Sequence, residues 1–168
     1  MDIHTALQIQ SEPHIQAFLK SNIEIDVRDS QDQTPLHIAC AQGLLPVVQK
    51  LINKKANINA TESKQWTPLH CAANEQHLQV CEYLIKNKAN LNSKTQDGNC
   101  VLHYLVKTRS TTDMHTKLIN YVLANTSLSI DEINSRNESP LVRASLSSDP
   151  QMITHLLALS ANINQSNS

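Results

Sequence analysis

Apolar residues along this chain gather in short helical stripes that return at a nearly constant interval. Val47, Val48, Leu51 and Ile52 stand at the i, i+1, i+4, i+5 spacing of one helix face, and Val80, Cys81, Leu84 and Ile85 repeat them 33 residues later. Met152, Ile153, Leu156 and Leu157 give the stripe again, Ile119 and Leu123 give part of it, and Ile15, Phe18 and Leu19 open the series. A helix of smaller residues precedes the large stripe, with Leu36, Ala39 and Cys40 as its inner face. Between helix pairs the chain turns polar, and Asp32, Gln65, Gly98 and Asn137 share one equivalent position there. Asp, Gly and Asn tolerate the positive φ that a tight turn wants, while Gln65 is the poorer fit. The pattern predicts pairs of short helices joined by tight turns. No pair buries its stripe alone, so the pairs must stack.

Two motifs fix the register. Thr34-Pro35-Leu36-His37 recurs 33 residues on as Thr67-Pro68-Leu69-His70, and Cys100-Val101-Leu102-His103 keeps the Leu-His pair. Met1-Asp2-Ile3-His4 keeps the His and an aliphatic neighbour. Thr34 suits a helix cap, Pro35 stands where a missing N–H costs nothing, and Gly43 suits the helix end. The second motif, Ala56-Asn57-Ile58-Asn59, returns as Ala89-Asn90-Leu91-Asn92 and, after a longer step, as Ala161-Asn162-Ile163-Asn164. Ile23-Glu24-Ile25-Asp26 and Leu128-Ser129-Ile130-Asp131 are its looser copies. Both motifs lengthen from 33 to 39 residues at one place, which puts six extra residues between Val106 and Leu118, around 107–113.

The period, the Thr-Pro-Leu-His-x-Ala stretches at 34–39 and 67–72, and the Ala-Asn-Ile-Asn tails resemble ankyrin repeats. The resemblance implies an all-α ankyrin-repeat solenoid, in which stacked helix-turn-helix units are joined by short finger-like β-turns. It spans the chain as a single domain of about five units, at 1–26, 27–59, 60–92, 93–131 and 132–164. The first unit opens directly on a helix, where His4, Gln8, Gln10 and Gln16 suit a polar cap. The fourth replaces Thr-Pro by Cys100-Val101 and the small Ala by Leu105; the fifth puts Val142 in the His position and Arg143 on a mostly covered face. After Ser166-Asn167-Ser168 another unit would fit, and Leu156 and Leu159 would want a following neighbour. The domain is therefore expected to belong to a longer protein; a polar cap from Arg143 and Ser145 to Ser148 is the alternative.

Composition narrows the function classes. A net charge of −1 provides no basic field for nucleic acid or anionic lipid. One Trp, one Phe and three Tyr leave the core to aliphatic residues, and two glycines leave no phosphate-cradling loop. There is no signal-peptide pattern at Met1 and no apolar run of membrane-spanning length. Cys40, Cys71, Cys81 and Cys100 show no CxxC pair and suit burial as reduced thiols, which points to the cytoplasm. Four Asn-x-Ser/Thr matches, at Asn59, Asn125, Asn137 and Asn164, are chance in an Asn-rich chain without a secretion signal.

Candidate chemistry reduces to scaffold. His70, Cys71, His77 and Cys81 cluster, but structural zinc sites show tighter paired spacings, and each residue fills a repeat position. Cys100 and His103 suggest a nucleophile pair, yet they occupy the capping and motif-His positions. The resemblance implies that this His braces the Thr hydroxyl and nearby backbone. No catalytic residue, cofactor or metal is expected.

In the ankyrin family the turn tips and the ends of the first helices line a concave groove. By register this groove takes Gln31, Gln33, Gln42, Lys64, Trp66, Asn74, Glu75, Asp97, Asn99 and Lys107, with Arg109 from the insertion. Trp66 stands out because Gln33, Asn99 and Glu138 hold the same position, so the framework demands no aromatic there. It suits a contact residue, or else it folds onto Lys64 and covers backbone. The polar insertion is a tolerated surface loop or a widening of the binding face. The resemblance implies a non-catalytic module that binds another protein, folded domain or extended peptide, as a monomer, without direct nucleic acid or membrane contact. The alternative is a targeting or adaptor module at the N-terminus of a larger signalling enzyme or bacterial effector.

Overall fold

The computed structural model describes residues 1–21 and 24–161. The Ile23 landmark, the tail at 162–164 and the chain end at Ser168 lie outside the described residues. Within them the chain is all-α, with ten helices and no strand. It divides into two compact units, Met1–Ala89 and Asn90–Ser168.

The first unit holds three helix pairs: α1 (Ile3–Gln8) with α2 (Glu12–Lys20), α3 (Pro35–Ala41) with α4 (Leu45–Asn53), and α5 (Pro68–Asn74) with α6 (Leu78–Lys86). The first helices stack α1 on α3 on α5, and α4 packs on α6 behind them. The second unit holds α7 (Val101–Leu105) with α8 (Asp113–Ala124) and α9 (Pro140–Ser147) with α10 (Pro150–Ala158), with α7 packed on α9. The core is aliphatic. Leu36, Leu51, Leu69 and Leu84 are fully buried in the first unit, as are Leu102, Leu105, Ile119 and Leu156 in the second.

The repeated motifs have a common local cause. In the first unit the first helix of each pair ends on a residue with positive φ whose N–H and the next N–H reach back to orphan carbonyls of the last turn. Gly43 (φ 68) donates to the Cys40 carbonyl and Leu44 to that of Ala39. Gln10 and Gln76 repeat this with side chains, at φ 54 and 59. The helices α4 and α6 close the same way. Lys55 and Lys88, both at φ 67, donate to Ile52 and Ile85, and Ala56 and Ala89 donate to Leu51 and Leu84. The Ala of the Ala-Asn-Ile-Asn motif is thus the buried residue that follows the left-handed cap. Its first Asn turns the chain onward: the Asn57 side chain accepts from the Asn59 N–H, and Asn90 accepts from Asn92, each at 3.0 Å.

Three local expectations need correction. The buried stripe of α8 is Leu118, Ile119 and Val122, 38 residues after Val80, Cys81 and Leu84, while Leu123 is only half-buried. One of the six extra residues therefore follows α8, and Ser127 there needs no positive φ. His4 is buried, and its ring bonds the Val27 carbonyl at 3.1 Å, so Gln8 and Gln10 carry the polar face without it. Leu156 is fully covered; Leu146 and Leu157 are the exposed leucines of the last helix pair.

Candidate partner-binding surface

Four finger turns carry most of the predicted site residues, and all four close in the same way. The N–H that opens each finger donates to the carbonyl four residues later: Asp29 to Gln33, Glu62 to Trp66, Thr95 to Asn99, and Asn134 to Glu138. The opening side chain then braces the tip. Asp29 accepts from the N–H groups of Gln31 and Gln33, Glu62 from Lys64 and Trp66, and Asn134 from Arg136 and Glu138. Asp32, Gln65, Gly98 and Asn137 all take positive φ, between 56° and 73°, as their shared position requires. Gln65 adopts it despite its side chain. Within the first unit the Ser63 N–H donates to the Gln31 carbonyl; within the second, Ser135 donates to Asp97.

Histidines tie these fingers to the helices. The Thr34 N–H donates to Nδ1 of His37 at 3.1 Å, so the ring proton sits on Nε2, which donates to the Trp66 carbonyl at 3.0 Å. His70 receives the Thr67 N–H in the same way, at 3.2 Å. His103 receives the Cys100 N–H and donates to the Glu138 carbonyl. Burial pushes the His37 and His103 pKa values down, which keeps both rings neutral.

The Cys100–His103 pair has the look of a nucleophile and its base, with Sγ 3.2 Å from Nδ1. Its surroundings oppose that chemistry. Both side chains are buried, and desolvation raises the thiol pKa while lowering that of the imidazole. The other three thiols are buried as well, with Cys71 and Cys81 pushed up to about 12 by desolvation. His77 is engaged elsewhere, bonding the Ala41 carbonyl at 3.1 Å while its ring covers Gly43. Among the described residues no group of His, Cys, Asp and Glu is arranged to hold a metal ion.

The structure distributes the predicted site residues unevenly. In the first unit Gln31, Lys64 and Glu75 are exposed, and Gln33, Gln42, Trp66 and Asn74 are partly exposed. The Trp66 indole meets the His70 ring edge-on, with centroids 6.4 Å apart. Gln42 reaches back to the Gln8 carbonyl at 3.1 Å, and Asn74 bonds the Glu75 carboxylate at 2.7 Å. In the second unit Asp97, Lys107 and Arg109 are exposed. Asn99 is different: it is 6% exposed, and its side-chain oxygen accepts from Asn134 at 2.8 Å, so it secures one finger to the next from inside.

Sequence reasoning missed two features of the second unit. Thr112 and His115 form a third Thr-x-x-His cap, at the start of α8, with the Thr112 N–H donating to Nδ1 at 3.1 Å. The signal was present in the spacing but lies outside the 33-residue register. Leu146, at the α9 position equivalent to Asn74 and Lys107, is 70% exposed.

A family model described as "Ankyrin repeats (3 copies)" matches residues 3–95. No curated protein matches the chain. Among the described residues no helix is long and apolar enough to cross a membrane.

Proposed function

The chain belongs to the ankyrin-repeat family, and on that premise we propose that it is a non-catalytic module that binds another protein through its finger turns and first-helix ends. Ankyrin repeats generally serve protein interaction, and the braced fingers support the same use here. The observation that carries the reading is the fixed setting of Trp66. Its N–H donates to Glu62 and its carbonyl accepts from His37, so the backbone is held at both ends while the indole stays partly exposed. A large aromatic on a rigid support loses little entropy on binding, which is why such residues dominate interface energetics. Gln31, Gln33, Lys64, Gln42, Asn74 and Glu75 supply a polar rim in the same unit. Asp97, Lys107 and Arg109 offer charged contacts in the second unit. Four free, buried thiols support a reducing compartment, the cytoplasm.

Affinity capture with the chain, compared with a Trp66→Ala control by quantitative mass spectrometry, tests the proposal. A protein retained by the natural chain and depleted by the control supports it. Identical recoveries from both baits would leave Trp66 without a contact role.

A further inference from the structure

Charge in the first unit is segregated, although the whole chain carries only −1. No Asp or Glu stands between Asp32 and Glu62, and Glu82 is the only one from 76 to 89. Five lysines gather where α4 and α6 end. Lys50 and Lys54 lie about one turn apart at the end of α4, Lys55 follows them, and Lys86 and Lys88 stand at the end of α6. All five are exposed. Glu82 pairs with Lys86 at 2.9 Å, and among the described residues the other four have no ion pair. The helix dipoles account for Lys50 and Lys86, in the last turns. They do not account for Lys55 and Lys88, which stand beyond the caps at φ 67, where glycine costs less.

Lys55 and Lys88 hold the same place in consecutive repeats, and α4 packs on α6. Packed helices lie roughly 10 Å apart, a distance an extended chain covers in about three residues. Asp26, from the preceding repeat, comes beside this edge, but its carboxylate already accepts the Asn57 N–H at 3.1 Å. Glu24, exposed two residues before Asp26, is the remaining carboxylate on that side. Exposed Asn53, Asn57 and Asn87 lie among the lysines, and none of the large exposed apolar residues belongs to α4, α6 or the turns after them. The edge therefore offers nothing to enter a bilayer, and a line of ammonium groups suits a chain better than a plane. We infer that the C-terminal ends of α4 and α6 form a docking edge for an extended acidic segment of a partner protein, its carboxylates recurring at about every third residue. This edge belongs to the second helices, not to the fingers and first-helix ends. The inference rests on the protein-binding reading above only in taking the occupant to be a protein.

Fluorescence anisotropy of a labelled (Glu-Glu-Ser)5 peptide against the full chain at about 50 mM salt tests it, with (Gln-Gln-Ser)5 as the uncharged probe. The acidic peptide is expected to bind, more weakly as salt is added, and the uncharged one is not. The triple variant Lys54→Gln/Lys55→Gln/Lys88→Gln keeps side chains that tolerate the same backbone, as Gln10 and Gln76 do, and should lose at least about tenfold in affinity. Lys94→Gln/Lys117→Gln/Arg136→Gln removes the same charge from the second unit and should lose less than about twofold. No binding of the acidic peptide, or equal losses in the two triple variants, overturns the inference. Loss of the peptide with Lys64→Gln but not with the edge variant also overturns it, while leaving the finger-centred reading intact. Sedimentation of the natural chain with phosphatidylserine vesicles, without binding of the peptide, overturns it in favour of a bilayer.

Discussion

Nε2 of His37 donates to the main-chain oxygen of Trp66 across 3.0 Å, so a scaffold residue of one repeat holds the backbone of the candidate contact residue in the next. The histidine has a full structural explanation, and the tryptophan it supports has a conformation fixed before any partner arrives. His37→Ala would leave the Trp66 carbonyl and the Thr34 N–H without this partner and open a cavity beneath the finger. A loss of about 3 kcal/mol is expected, read as a lower urea midpoint at an unchanged slope.

Acid should weaken the fold through the same histidines. Burial holds the pKa values of His37, His103 and His115 below the ordinary 6.5, so the unfolded chain binds protons first as pH falls. Stability is fully present above about pH 6.5 and declines as pH drops toward the folded values, by up to about 1.4 kcal/mol per pH unit for each histidine. Urea unfolding between pH 8 and pH 5 checks this. A flat profile across that range would show that the three rings do not carry this linkage.

Left-handed positions should respond to substitution according to their surroundings. Gly43→Ala would place a Cβ 2.5 Å from His77 Nδ1 at φ 68, and a cost of about 2–3 kcal/mol is expected. Gln65→Gly relieves a side chain at φ 62 on an open finger and should raise stability by about 0.5–1 kcal/mol. Thermal unfolding of the two variants should move in opposite directions.

All four cysteines are buried and free, and desolvation raises the pKa of each. Native protein should resist a thiol-specific reagent at mildly alkaline pH, while denatured protein should react at every cysteine. Rapid labelling of native Cys100 would refute the inert reading of its pairing with His103.

Much of this architecture was legible because repeats state each local rule several times. The shared position of Asp32, Gln65, Gly98 and Asn137 revealed the finger turn even though Gln65 alone would not. Lys55 and Lys88 adopt positive φ too, but lysine gives no local sign of it, and their conformation follows from the packing of Ala56 and Ala89. Departures from the register were harder to place. The buried stripe of α8 slipped by one residue, because only packing decides which of Leu118, Ile119, Val122 and Leu123 face inward. The repeat register puts Asn99 at a finger tip, and only its bond to Asn134 reveals the inward turn. Exposure of Leu146 depends on which neighbours cover α9, and no single-sequence pattern encodes that.

The direct test of a Trp66-centred binding surface is the affinity of a captured partner for the natural chain and for Trp66→Ala, measured by titration on proteins with matched unfolding midpoints. A Trp66-centred surface loses at least about 1 kcal/mol, a fivefold or greater weakening, with folding unchanged. Equal affinities would contradict it.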